Sequence, residues 1–132
     1  MAHDAQSKEE DEQGWTLGHV IVHLTAILED RLSSSAMTAR GVQLDARLLY
    51  ETPWESVRTM QQVQSRLHES QRMCNAFLDA WPDVPRLDLI VTPASRFGPM
   101  NAVQTSMFGI LHAQTHFDQL REIIRQSKDS QY

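Results

Sequence analysis

Leu17, Val20, Ile21, Leu24, Ile27, Leu28 and Leu32 recur at intervals of three and four residues, a spacing that lines one side of an α-helix and fits no β-strand. The same period returns at Val103, Met107, Phe108, Ile110, Leu111, Phe117, Leu120, Ile123 and Ile124. These cover so much of a helix's circumference that this last element is expected to be the most buried. Between the two, Val57, Met60, Leu67, Cys74, Leu78 and Trp81 supply a third stripe, with Gln61, Gln62, Gln64, Arg66, Glu69, Gln71 and Arg72 solvating the rest. Strand-type alternation is nowhere sustained and there is no internal repeat. The expectation is an all-α fold built on three long helices.

Local signals set the boundaries. Thr16 is a candidate N-cap for the first helix; Ser33-Ser34-Ser35 weakens its propensity and Gly41 marks its end. Residues 42–51 read as loop with a helical turn. Thr52-Pro53-Trp54-Glu55 combines a Thr cap, a proline at the first helical position and a glutamate three residues on, so the second helix should start there and stop at Pro82. Pro85, Pro93, Gly98 and Pro99 make the stretch to residue 99 a loop, briefly extended at Leu89-Ile90-Val91. The last helix should run from about Met100 to Ser127. Residues 1–14 are acidic and carry no apolar period, so they read as a flexible lead-in to a single helical domain spanning 15–127.

At 132 residues, 41% of them hydrophobic and 22% charged, the chain has the size and composition of one soluble domain. Five carboxylates against Lys8 place −4 of the formal charge of −5 in residues 1–14. The remainder is nearly neutral and has no Lys/Arg stripe interleaved with aromatics, which argues against a nucleic-acid partner. One cysteine, Cys74, makes no intrachain disulfide, and no signal-like leader or membrane-length apolar run is present. A soluble cytoplasmic protein is expected.

Six histidines are present, and two pairs, His19/His23 and His112/His116, stand four apart, against roughly 0.2 such spacings for random placement. The spacing therefore carries information. Residues i and i+4 share a helix face with Cβ atoms ~5–6 Å apart, close enough for two imidazoles to converge on one ion. His112 and His116 belong to a largely apolar face with Leu120 and Ile123, where a neutral imidazole needs partners for both nitrogens and a metal can be one. His23 borders the apolar stripe beside Val20 and Ile27 and is a better third ligand than the outward His19. The alternative is that these are hydrogen-bonded structural histidines.

The segment from Gly14 to Leu24 (Gly14-Trp15-Thr16-Leu17-Gly18-His19-Val20-Ile21-Val22-His23-Leu24) resembles the Trp-Ser/Thr opening and His-Leu step of the DinB/YfiT-like family. The segment Leu111-His112-Ala113-Gln114-Thr115-His116-Phe117-Asp118-Gln119-Leu120 resembles that family's closing helix, where two histidines four apart precede a glutamine. Tyr50-Glu51-Thr52-Pro53-Trp54-Glu55, Arg66-Leu67-His68-Glu69-Ser70 and Phe97-Gly98-Pro99 are similar to a DinB-like subgroup. The resemblance implies a DinB/YfiT-like helical bundle in which His23, His112 and His116 hold one divalent metal, zinc or nickel. It also implies a metal-dependent enzyme acting on a small-molecule substrate. The chemistry would be transfer or isomerisation with a low-molecular-weight thiol as co-substrate, or hydrolysis. His19 stands where the family often carries Glu and stays outside the ligand set.

Family members usually place a further helix before the Trp motif, so here the first helix of the four-helix bundle is short or missing. A three-helix remainder leaves apolar surface wet, which implies a homodimer or an unstable monomer. The competing expectation is a non-catalytic helical stress or interaction protein with a structural or vestigial histidine cluster. Cys74 reads as a buried structural thiol, Asp118 and Glu122 as solvated charges rather than groups orienting a ligand, and Trp54 and Trp81 as anchors of helix ends.

Overall fold

A computed structural model describes residues 16–42, 52–92 and 98–129. The acidic segment 1–14, residues 43–51 of the expected loop, and Phe97 lie outside them. Every long element among the described residues is helical, as the periodicity predicts.

Helix α1, Leu17–Ala39, begins where Thr16 accepts a hydrogen bond from the His19 N–H at 3.2 Å. It runs through the serine run because those hydroxyls turn back on the helix: Ser33 Oγ donates to the Asp30 carbonyl and Ser35 Oγ to that of Arg31. Gly41, at φ 91°, then takes the left-handed conformation that ends helices, while Val42 N–H closes on the Met37 carbonyl at 2.9 Å. α1 is buried on nearly every side: Leu17, Val20, Ile21, Leu24 and Leu32 form the expected stripe, but Val22, Thr25 and Ala26 are buried too.

The second helix starts later than expected. Trp54–Ser56 form only a single 3-10 turn, and helix α2 is Met60–Asp79. Thr59, not Thr52, is the capping residue: its hydroxyl accepts from Gln62 N–H at 3.1 Å and the Gln62 side chain returns to the Thr59 N–H at 3.0 Å. Val57 decides between the two boxes. It is extended, at φ −114° and ψ 85°, and inserts its side chain into the core beside Leu17, Val20, Ile21, Val22, Val63 and Ile123, so no helix can run through it. α2 buries Val63, Ser70 and Cys74 but leaves Met60, Leu67 and Leu78 exposed, so the expected stripe is only half covered. It ends ahead of Pro82, and the expected extension at 89–91 amounts to one antiparallel pairing of Val91 with Met100.

The closing element is two helices: α3, Ala102–Thr115, and α4, Phe117–Asp129. Thr115 Oγ1 donates to the His112 carbonyl at 2.6 Å, the group that His116 N–H would use in a continuing α-helix. His116 N–H goes instead to the Ala113 carbonyl at 3.2 Å, tightening the turn and breaking the helix there. The expectation that this element is the most buried is also overturned, since α1 holds that place. α3 meets α1 through Ala102, Thr105, Ser106 and Gly109. A Cβ at Gly109 would stand 2.7 Å from Arg31 Cβ, so the backbones approach through small residues and the larger apolar side chains of α3 turn outward. α1 thus packs on both α2 and α3, which make little contact with each other.

A candidate metal centre at the junction of three helices

The break at residue 116 leaves the two closing-helix imidazoles close together. Ring centroids of His112 and His116 are 5.0 Å apart, and the His23 ring, arriving from α1, lies 6.2 Å from His116 and 6.4 Å from His112. Interplanar angles of 65°, 66° and 79° incline the rings edge to face rather than stacking them.

Three imidazoles bound tetrahedrally at ~2.0–2.1 Å put their ring centres about 5 Å apart. The His112–His116 pair has that spacing, and the His23 ring stands about 1 Å beyond it. Among the described residues no group of three or more His, Cys, Asp or Glu is placed so that it could hold a metal ion. His23 is half-buried.

Gln119 fixes the chemistry of one ring. Its Oε1 lies 2.8 Å from His116 Nδ1; in the tautomer that donates from Nδ1 to that oxygen, the Nε2 lone pair would be left to serve as a ligand. Both residues are buried. The Gln119 amide nitrogen is buried with no hydrogen-bond partner among the described residues, and remains able to donate to a group brought beside the imidazoles. The sequence motif contains Gln119, but spacing alone gave it no role. The carboxylates considered for that role are elsewhere: Asp118 pairs with Arg121 in solvent, and a hydrogen bond from Arg125 holds the Glu122 carboxyl down to about 2.

His19 is turned away from the trio and stacks on Trp54, with centroids 4.6 Å apart and planes inclined by 10°. Trp54 therefore anchors the 3-10 turn on α1. Phe108 lies 6.5 Å from His112 and carries the Arg31 guanidinium 5.4 Å above its ring. Arg31 also pairs with Asp30 at 2.6 Å. Both charges are buried in the centre of α1, which no apolar period could announce.

Cys74 is buried against α1 as expected. Burial pushes its thiol up, the Glu29 carboxylate adds to that, and the Ser70 hydrogen bond and Arg66 oppose it. Arg66, read from sequence as a solvated side chain, pairs with Glu29 across α1 and α2. A raised thiol holds little thiolate near neutrality, so iodoacetamide at pH 8 should label native Cys74 at least ~10-fold more slowly than the urea-unfolded chain, read by mass spectrometry. Equal rates would mean that the thiol is exposed.

Comparison with family models, curated proteins and solved structures finds no match for this chain.

Proposed function

We propose that this protein is a metal-dependent enzyme of DinB-like type, a cytoplasmic homodimer in which His23, His112 and His116 hold one divalent ion, zinc or nickel, on a DinB-like bundle. The observation that carries the reading is the approach of three mutually inclined imidazoles to within 6.4 Å, one of them hydrogen-bonded to a buried glutamine. His23, His112 and His116 would hold the ion, which when bound would supply Lewis acidity that lowers the pKa of a water or low-molecular-weight thiol.

The chain's own residues do the rest. Gln119 orients His116, while burial of His116 and Gln119 limits water around that ring. Transfer or isomerisation with a thiol co-substrate is the favoured chemistry, with hydrolysis second. One observation favours the non-catalytic alternative: the His116–Gln119 hydrogen bond also satisfies a purely structural histidine.

Untagged protein should carry or tightly bind one divalent ion per chain by elemental analysis and titration with zinc and nickel. Gln119→Leu keeps the shape of the site but removes the acceptor, so it should weaken binding ~10–100-fold. A parent protein that binds neither metal would leave the structural histidine cluster as the better account.

A further inference from the structure

α3 presents a second face that the imidazole cluster does not use. Val103, Met107, Ile110 and Leu111 are 44%, 50%, 38% and 55% exposed, and Leu78 on α2 is 48% exposed. With Trp81 and Ser106, all but Leu111 of these line an open groove of about 440 Å³ between the end of α2 and the start of α3. This is the corner opposite α1, where two helices that pack on a common third make little contact with each other.

We propose that this groove is the homodimer interface, filled by α3 of a second copy running antiparallel. The inference rests on the dimer named above and says which surface makes it. Three features select a second copy of this chain. Val103, Met107, Ile110 and Gln114 repeat at intervals of four, three and four, the spacing of a helix-on-helix seam. From Ala102 to Thr115 there is no Asp, Glu, Lys or Arg, so two copies can lie against each other with no like charges meeting, as a twofold interface requires. The exposed apolar side chains amount to on the order of 400–500 Å² per chain, so two copies with their closing rims reach the ~1,000 Å² at which specific interfaces begin. A charged partner surface would find nothing here to pair with.

At 100° per residue, Ile110 lies roughly 120–160° around the helix from His116 and His112. Dimer formation and metal binding therefore separate experimentally. Sedimentation velocity on the full untagged chain should show a dimer. Met107→Glu and Met107→Lys, each changing one exposed side chain, should each weaken association at least 100-fold, and a 1:1 mixture of the two should dimerise again. Recovery on mixing demonstrates that both variants are folded. A parent protein that is monomeric at 100 µM overturns the dimer and this interface together. A parent dimer that persists in both variants overturns this interface alone, and so does a pair of variants that stay monomeric when mixed. Metal stoichiometry, measured on the same samples, reports on the imidazole site independently of all three.

Discussion

Replacing His116 with alanine should lower zinc or nickel affinity at least ~100-fold, since second-sphere changes alone reach that size. The imidazole it removes is hydrogen-bonded through Nδ1 to the Gln119 side chain at 2.8 Å. If the three imidazoles form the proposed site, His23→Ala and His112→Ala should lose binding to a similar degree. His116 is 8% exposed and caps α3, so its replacement also leaves a small cavity, and circular dichroism of each variant must accompany the titration. His23 and His112 are half-buried, and their variants carry less of that burden. Unchanged affinity in all three variants, at intact helicity, would remove the site.

The histidine spacing was legible because i, i+4 geometry is local: two residues one turn apart share a face whatever the rest of the chain does. His23 was placed by the same local logic, from its position at the border of the α1 stripe. What periodicity cannot see is which face a neighbour takes. α3 is apolar around most of its circumference, and its contact with α1 is chosen by the one residue without a side chain, Gly109, where Arg31 Cβ would stand 2.7 Å from an added Cβ. That choice sends Val103, Met107 and Ile110 outward and buries Thr105 and Ser106. The second helix start shows a related limit. Two threonine boxes seven residues apart are equally good signals, and only the insertion of Val57 into the core rejects the first. Gln119 was visible as part of a motif, yet its role follows from the break between α3 and α4 at His116, which has no periodic signature.

Gly18→Ala should destabilise the protein by about 2–3 kcal/mol, against the ordinary preference of helices for alanine. In an exposed helix that exchange gains roughly 0.5–1 kcal/mol. Here the added Cβ would stand 1.9 Å from the Val57 carbonyl oxygen and 3.0 Å from its carbon. These are backbone atoms with no rotamer to change, so the whole 52–57 segment must move away from α1. Overpacking of this kind costs about 1–3 kcal/mol, occasionally more, and withdrawing Val57, now 5% exposed, loses a further ~1.5 kcal/mol or more of burial. Sterics therefore outweigh propensity and set the sign. Urea unfolding should show a lower midpoint at an unchanged slope. The same movement lifts Trp54 off His19, stacked at 4.6 Å, so native tryptophan fluorescence should change in step. Val57→Ala separates the two causes: it loses the burial term alone and should cost less than Gly18→Ala while leaving the His19–Trp54 stack in place. A Gly18→Ala variant as stable as the parent would mean that the 52–57 segment does not lie against α1.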